Sequence, residues 1–374
     1  FTKNKIIVFA IIFALFLSII FNIFFPKASD TLILKNKNVI TKDNTIDSTL
    51  IYKEFNGGIL RISKDGISFF NNNTDFKWTH TYNMKNPIVS IRGNYALIAD
   101  KGGNDLYLFN KLGLLSYAIA DKIIEKAVVS DDGISFIIVD DIEATFIKVY
   151  SKELKEMDIS IKSTFKGEGY PIDIAVSNDS TEIIVSYGII TNENIFTSKV
   201  IFYNFSEIGK NVGANRIVGS FVNSNESNFI SKVHFFDNEY ALSVYNGGLK
   251  FYSTKVLINP KIIKEIKYDK KIKSIDMSNQ LLSIVLEDNI VENFDKAGNL
   301  LSRKSINIDY QDFYLSNNYL IFIKNKEINI YNKNLDLIFN GEIENTEKII
   351  YLNNFFNTNL LVGFQNEIKL FELK

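Results

Sequence analysis

The chain has 374 residues, with 42 lysines and arginines against 43 acidic residues, 46% hydrophobic residues and no cysteine. This composition excludes a disordered chain, a disulfide-stapled secreted module and an enzyme that depends on a cysteine. A net charge of −1 provides no basic field for phosphates, so nucleic acid is not an expected partner.

The first predicted element is a membrane helix. Residues 6–25 (IIVFAIIFALFLSIIFNIFF) contain only Ser18 and Asn22 as polar residues. A helix of that length covers about 30 Å, the thickness of the hydrocarbon core of a bilayer. The sequence PKAS at 26–29 places Pro or Lys where a signal-peptide cleavage site needs a small residue. We therefore predict that residues 1–29 form an uncleaved, single-pass anchor.

The charges around this helix predict its orientation. Lys3 and Lys5 precede it and no acidic residue does, which favours a cytoplasmic N-terminus. Lys27, which follows it, carries little weight because large domains translocate largely regardless of their charge. Residues 30–374 are thus expected to form one extracytoplasmic domain, bound to the cell membrane through residues 6–25.

After residue 30 the sequence changes to short alternating strands that repeat. The recurring pattern is an apolar strand that ends in an aromatic residue, then Asn, Asp or Ser, a turn, and another apolar strand, with weaker copies at Phe70, Tyr203, Tyr252 and Phe371. The aromatic positions are Phe70, Phe109, Tyr150, Tyr203, Tyr252, Phe294, Tyr331 and Phe371. Eight copies at a spacing of about forty residues have the period of a four-stranded propeller blade. The predicted fold is therefore an all-β, eight-bladed β-propeller, with seven blades and an irregular N-terminal hairpin as the alternative.

The predicted blades also suggest how the ring closes. They start near residues 48, 86, 124, 171, 229, 271, 310 and 347, which leaves room for only three strands in the last blade. A spare apolar strand, TLIL at 31–34, follows the membrane helix. We expect it to supply the missing outer strand of the last blade, because closure protects the edges of the sheets.

The repeats resemble those of WD40-like and quinoprotein-dehydrogenase-like propellers, especially in the Ser-x-Asp-Gly turn at 130–133. The whole arrangement looks like that of membrane-anchored propeller proteins of unknown function from Gram-positive bacteria. The quinoprotein resemblance would imply a quinone cofactor, but the family's adjacent cysteines are absent and Trp78 is the only tryptophan. No cofactor is therefore expected.

Few residues have side chains in a pattern that suits catalysis or metal binding. His80 and His234 each lie in an alternating strand beside aromatic residues, which favours packed or surface histidines over metal ligands. The acidic turn with Asp140, Asp141 and Glu143 could bind calcium, but its spacing is not that of an EF-hand and a solvated turn is favoured. No catalytic residue and no metal site are predicted.

A lysine-rich stretch is expected on the outer strand of the fifth blade. It could contact anionic lipid or wall polymer, but the favoured interpretation is that the lysines prevent edge-to-edge aggregation of the sheet. Its members are Lys261, Lys264, Lys267, Lys270, Lys271 and Lys273.

The spacing of the repeats is irregular on either side of Tyr203, where the intervals are 53 and 49 residues. The extra residues fall at 164–170, 188–199, 206–215 and 222–228. In a propeller, blade-to-blade loops share one face with the turns between the second and third strands, so three of these insertions are expected together. Binding residues concentrate on loops held by a rigid scaffold. The candidate contact residues are Tyr170, Asn192, Asn194, Phe196, Asn223, Asn225 and Glu226.

These observations favour a non-catalytic binding or scaffold module whose partner is a protein or a cell-envelope polymer. Two alternatives remain open from the sequence. One is an extracytoplasmic glycan-active hydrolase or lyase that uses carboxylates alone. The other is a sensor that transmits ligand binding through the membrane helix.

Overall fold

The structure is a computed structural model that describes residues 30–40, 50–190, 196–222, 229–344, 346–353 and 358–373. Its strands form eight antiparallel sheets of four strands each, and the sheets are the blades of a β-propeller. The eight-bladed prediction is confirmed, and the seven-bladed alternative is wrong. Each blade starts within three residues of its predicted position.

The first four blades follow the chain in order. Blade 1 contains β2 (Ile51–Phe55), β3 (Gly58–Ser63), β4 (Gly66–Phe70) and β5 (Phe76–Thr81). Blade 2 contains β6 (Pro87–Arg92), β7 (Tyr95–Asp100), β8 (Asp105–Asn110) and β9 (Gly113–Ile119). Blade 3 contains β10 (Ile123–Val129), β11 (Ser135–Asp140), β12 (Thr145–Tyr150) and β13 (Glu156–Ser163). Blade 4 contains β14 (Tyr170–Val176), β15 (Glu182–Ile190), β16 (Phe196–Asn204) and β17 (Ile217–Val222), with helix α1 (Glu207–Val212) between the last two strands.

The remaining blades complete the ring. Blade 5 contains β18 (Ile230–Phe235), β19 (Tyr240–Tyr245), β20 (Gly248–Ser253) and β21 (Lys261–Lys267). Blade 6 contains β22 (Ile272–Met277), β23 (Leu282–Leu286), β24 (Ile290–Phe294) and β25 (Leu300–Ser305). Blade 7 contains β26 (Asp312–Ser316), β27 (Tyr319–Lys324), β28 (Glu327–Tyr331) and β29 (Leu337–Glu342). Blade 8 contains β30 (Lys348–Asn353), β31 (Thr358–Gly363), β32 (Glu367–Leu373) and β1 (Leu32–Val39).

The last blade closes the ring with a strand from the other end of the described chain. β1 pairs antiparallel with β32, from Leu32 opposite Leu373 to Val39 opposite Glu367. This confirms the predicted closing strand and extends it beyond residue 34. The edge of β32 is therefore paired rather than open to other chains.

The strands of a blade define two faces of the ring. The four strands of each blade are labelled a to d from the centre of the ring outward. Strand a is innermost, because the first strands of neighbouring blades contact one another, as β10 does with β6 and β14. Because neighbouring strands are antiparallel, the a–b and c–d turns lie on one face, the ab face. The b–c turns and blade-to-blade loops lie on the opposite face, the bc face. β1 is a strand d and begins at the ab face, where Leu32 pairs with the end of strand c.

The recurring aromatic residue packs each blade against the one before it. Phe109 of blade 2 lies in the hydrophobic cluster shared with blade 1, and Tyr252 of blade 5 lies in the cluster shared with blade 4. Eight such clusters lie between neighbouring blades. Burial of these apolar faces is the main force that holds the ring together.

The polar residue after the aromatic closes the c–d turn. The Oδ1 atom of Asn332 accepts hydrogen bonds from the backbone nitrogens of Asn334 and Asp336 at 2.9 and 3.0 Å. In the same turn Leu335 adopts a left-handed backbone with φ of 66°. Asn, Asp and Ser suit this position because their short side chains can accept bonds from the next turn of backbone.

No helix among the described residues is long and apolar enough to cross a membrane. The segment for which the sequence predicts a membrane helix, residues 6–25, lies outside the described residues.

Candidate binding surface

Two of the seven predicted contact residues fall within the described part of the chain. Tyr170 is the first residue of β14, and Phe196 is the first residue of β16. The other five, Asn192, Asn194, Asn223, Asn225 and Glu226, lie outside the described residues. Both described residues are at the bc face of blade 4, so the structure brings them to the predicted side of the ring.

The insertion at 188–199 is mostly strand and not loop. β15 and β16 each have nine residues and pair from Glu182 opposite Asn204 to Ile190 opposite Phe196. The expectation of a long b–c turn is therefore wrong for most of its length. The reason is that β-branched residues at 189–190 continue the strand pattern, so the hairpin extends the blade above its neighbours.

Phe196 is held at the end of this hairpin with half of its surface in solvent. Its ring stacks on Phe229 with 5.6 Å between centroids, and its exposed fraction is 51%. A Cβ atom at Gly188 would lie 3.2 Å from the Phe196 ring, so the glycine leaves space for the ring. Phe196 is thus an apolar side chain that the scaffold presents at a fixed place.

Tyr170 has a structural role instead of a free hydroxyl. Its hydroxyl donates to Oδ2 of Asp140 at 3.0 Å, and Thr145 donates to the other oxygen of the same carboxylate at 3.0 Å. Burial, together with the hydrogen bond to Asp140, raises the pKa of Tyr170. This residue therefore ties the start of blade 4 to the b–c turn of blade 3.

A group of exposed apolar side chains that includes Phe196 lies at the turns and strand ends of the bc face in blades 3 and 4. We call it the bc-face apolar cluster; its members are Ile142, Phe165, Ile190, Phe196 and Val222. Ile142 is completely exposed, and each of the others is about half exposed. Exposed apolar groups concentrated at one place on a surface mark interaction sites more often than scattered ones do.

Sequence reasoning found only one member of this cluster. Ile142 stands between Asp141 and Glu143, and Phe165 lies in a blade-to-blade loop. The sequence feature that indicates these residues is an apolar side chain within a turn of polar residues, since a turn exposed to solvent does not need one. Loop length indicates the correct segments of the chain but, apart from Phe196, not the exposed apolar residues within them.

The strands beneath the cluster are fixed by buried polar contacts. The hydroxyls of Tyr187 and Tyr203 are 2.8 Å apart in the core of blade 4. On the innermost strand of that blade, Asp173 accepts from the backbone nitrogen of Val233 at 2.9 Å and forms an ion pair with Lys126. These contacts connect blades 3, 4 and 5, so the cluster rests on a rigid base.

The fourth insertion does not join the cluster. Residues 206–215 contain α1, whose N-terminus is capped by the Ser206 side chain accepting from the nitrogen of Ile208 at 3.2 Å. It lies in a c–d turn and therefore on the ab face. This agrees with the prediction that three of the four insertions share a face.

Both histidines are packed against aromatic rings, as predicted. His80 lies 5.4 Å from the ring of Tyr107, between centroids. His234 lies 4.9 Å from the ring of Phe236, and its Nε2 is 3.3 Å from the carbonyl oxygen of Ser278. Burial lowers the pKa of His234 to about 3. The imidazole of His234 is therefore neutral at physiological pH.

Two carboxylates of the acidic turn in blade 3 accept hydrogen bonds from neighbouring side chains. Asp141 accepts from Lys122 at 2.6 Å, and Asp140 accepts from Tyr170. Within the described ranges, no group of three or more His, Asp or Glu side chains is arranged to hold a metal ion.

The lysine stretch is divided between two blades. Lys261, Lys264 and Lys267 lie on β21, the outer strand of blade 5, as expected. Lys273 does not: it lies on β22, the innermost strand of blade 6, with its amine 4.2 Å from the centre of the Tyr310 ring. The prediction of one outer-strand stretch is wrong here because the chain crosses to the next blade at 268–271.

A polar cavity of about 560 Å³ lies at the centre of the ring on the ab face. Lys53, Glu54, Arg92 and Lys348 contribute charges to its lining. Burial lowers the pKa of Lys348 to about 8 and raises the pKa of Glu54. Arg92 is engaged by the carbonyl oxygen of Phe235 at 3.0 Å. The lining therefore mixes both signs of charge, so it has no single-sign field to select a ligand.

Comparisons with known proteins identify a family and a fold. The model of a family of unknown function, DUF5711, matches residues 33–373, and the chain belongs to that family. No curated protein matches the chain.

Among solved structures, BamB from Moraxella catarrhalis aligns with a TM-score of 0.55 and 11% identity, over 92% of this chain and 100% of that one. Sqt1 from Saccharomyces cerevisiae aligns with a TM-score of 0.56 and 12% identity, over 92% and 99%. The computationally designed Ika8 protein aligns with a TM-score of 0.58 and 12% identity, over 88% and 98%. At such low identity these similarities concern the propeller fold alone.

Proposed function

We propose that this DUF5711 protein is a membrane-anchored, extracytoplasmic binding module that performs no catalysis. In this proposal its bc-face apolar cluster holds a protein partner, and a cell-envelope polymer is the second kind of ligand to be tested. The observation that carries the proposal is the cluster itself: five exposed apolar side chains on neighbouring turns of a rigid ring. Burying such side chains against a partner would gain about 25 cal/mol for each Å² removed from water.

The mechanism that we propose is display on a tether. The helix predicted at residues 6–25 would hold the ring at the membrane, which raises the effective concentration of the cluster for a partner in the same membrane. Blade 4 lies opposite blade 8 in the ring of eight, and the predicted anchor precedes β1 of blade 8 in the sequence. The cluster would therefore be presented on the side away from the anchor, where a partner is not blocked by the bilayer.

The proposal can be tested by photo-crosslinking in cells. A photoreactive amino acid at Phe196 is expected to capture a specific macromolecule, because the side chain stands at the edge of the cluster. The matched control is the same substitution at Leu301, on the outer strand of blade 6, since the two side chains are 51% and 47% exposed. Protease treatment of the product then distinguishes a protein from a polymer.

A second variant tests the cluster independently. Phe165→Asp should abolish the crosslink from position 196, whereas Leu300→Asp, at a similarly exposed residue of blade 6, should leave it unchanged. Equal products from both photoreactive positions, or a crosslink that survives Phe165→Asp, would show that the cluster is not the contact surface. Turnover of envelope glycans by the purified protein would instead favour the enzyme alternative.

A further inference from the structure

A second exposed apolar surface lies on the opposite face of the ring, over blades 1 and 2. Leu112, at the tip of the c–d turn of blade 2, is 89% exposed. Phe76, at the start of the outer strand of blade 1, is half exposed. We call this the ab-face surface of blades 1 and 2. A leucine so completely exposed gains nothing from the fold of the ring itself.

The tryptophan of the chain forms the floor of this surface. Trp78 stacks on Phe109 with 5.5 Å between centroids and an interplanar angle of 4°. Its indole nitrogen donates to the carbonyl oxygen of Lys111 at 3.0 Å. Together with Lys77, Lys111 and Leu112, Trp78 lines a cavity of about 580 Å³. The surface thus combines an apolar tip, an indole and two lysines at fixed positions.

The surface is continuous with the strand that follows the predicted membrane segment. Nδ2 of Asn36 on β1 donates to the carbonyl oxygen of Asn73, in the c–d turn of blade 1, at 2.6 Å. β1 begins at the ab face with Leu32. The seven residue steps from Phe25 to Leu32 span about 25 Å at most. The strand that follows the predicted segment therefore enters the ring at the ab face of blade 8 and contacts blade 1 there.

We propose that the ab-face surface of blades 1 and 2 binds the headgroup region of the lipid bilayer. This inference rests on the proposed membrane anchor. Leu112 and Phe76 would enter the boundary with the acyl chains, where amphipathic surfaces bury apolar side chains. Trp78 would lie at headgroup depth, which tryptophan favours. Lys77 and Lys111 would meet anionic headgroups, which attract basic side chains close to the membrane surface. The ring is then fixed at two places and presents its bc face away from the membrane.

The test uses the fluorescence of Trp78, the single tryptophan of the chain. The full-length protein is reconstituted into vesicles of phosphatidylcholine and phosphatidylglycerol, with and without brominated acyl chains that quench a nearby indole. We expect bromination to reduce the emission at least twofold. Leu112→Asp should remove most of this quenching, and omission of phosphatidylglycerol should weaken it. Ile142→Asp, on the opposite face, is the control that should have no effect.

The outcomes separate this inference from the anchor. Protein that resists extraction by alkaline carbonate but shows unquenched Trp78 keeps the anchor and overturns the lipid-binding surface. Protein that carbonate releases, with quenching retained in untreated vesicles, overturns the anchor and keeps the surface. Release without quenching overturns both. Quenching that is equal in wild type and Leu112→Asp also contradicts the proposal, because the contact would not depend on this turn.

Discussion

Leu34 on β1 pairs with Phe371 on β32, so the first described strand completes the blade that the last strands begin. Both residues belong to the repeated pattern, since Phe371 is the eighth aromatic position and Leu34 lies beside it on strand d. Closure of the ring therefore depends on residues that directly follow the predicted membrane segment. The strand at the start of the described chain is therefore part of the fold of the ring.

Removal of the closing strand should destabilise the whole domain. A variant that lacks residues 1–40 loses the backbone hydrogen bonds of β1, each worth about 0.5–1.5 kcal/mol, and exposes the edge of β32. We expect the free energy of unfolding to fall by several kcal/mol in one cooperative transition, measured by circular dichroism in urea. The control lacks only residues 1–29 and keeps β1. Equal midpoints for the two variants would contradict the role of this strand.

Glu182 should make stability depend on pH. Its side chain is buried at the start of β15, Asn204 donates to Oε1 at 3.4 Å, and Oε2 has no hydrogen-bond partner among the described residues. Burial raises the pKa of Glu182 to about 8, above the value of about 4.3 in an unfolded chain. Between these values the folded protein holds the proton that the unfolded chain releases. The stabilisation that comes from protonated Glu182 is thus complete below about pH 4.3. As the pH rises towards 8 it is lost, and the free energy of unfolding falls by up to about 1.4 kcal/mol per pH unit.

The test of that dependence is Glu182→Gln, which replaces the titrating group with a neutral one of the same shape. Urea unfolding at pH 5, 6.5 and 8 should show a flatter profile in this variant than in the wild type. Glu143→Gln, at an exposed position of the blade 3 turn, is the matched control and should leave the profile unchanged. A wild-type slope that survives Glu182→Gln would assign the effect to another group.

The polar residue after the recurring aromatic should stabilise its turn. Asn332→Ala removes two hydrogen bonds from backbone nitrogens and one from the Asn332 side chain to Asp336 at 3.1 Å. We expect a loss of about 1–2 kcal/mol, because the turn nitrogens then depend on water. Asn334→Ala, in the same turn and exposed, should cost much less. Equal losses in thermal unfolding would mean that the side-chain bonds of Asn332 do not hold the turn.

Lys348 should react as an amine at lower pH than a typical lysine. Burial lowers the pKa of Lys348 to about 8, and its amine lies 3.2 Å from the centre of the Tyr314 ring beside the central cavity. Pulse labelling with an amine-acylating reagent, followed by mass spectrometry, should give a reactivity midpoint near pH 8 at this residue. Glu54→Gln should lower that midpoint further, because it removes a nearby negative charge. A midpoint above 10 would contradict the burial of the charged form.

The repeated units were predictable because their causes are local. An aromatic residue at the end of strand c, followed by Asn, Asp or Ser, defines a strand end and a turn through contacts within a few residues. The closing strand was also predictable, because an apolar strand was left over where a blade lacked one. The positions of the blades follow from these two patterns.

The candidate surface was only partly predictable. Tyr170 and Phe196 look alike in the sequence as aromatic residues next to long loops. The structure separates them, because Asp140 of the neighbouring blade binds the hydroxyl of Tyr170, whereas Phe196 stands at the end of a long hairpin. Loop length indicated the correct face, but it could not indicate which side chains remain free.

The eightfold repeat, the blade boundaries and the closing strand could be predicted from the sequence, with seven blades as the alternative, because strand periodicity and turn chemistry act between residues close along the chain. Two relationships could be known only from the tertiary structure: Ile142, Phe165 and Phe196 are exposed on the same face of blades 3 and 4, and Leu112 and Trp78 line one cavity on the opposite face, where β1 begins. These relationships depend on how neighbouring blades pack. Contacts between blades join residues that are far apart in the chain, and no local pattern encodes which side chains they cover.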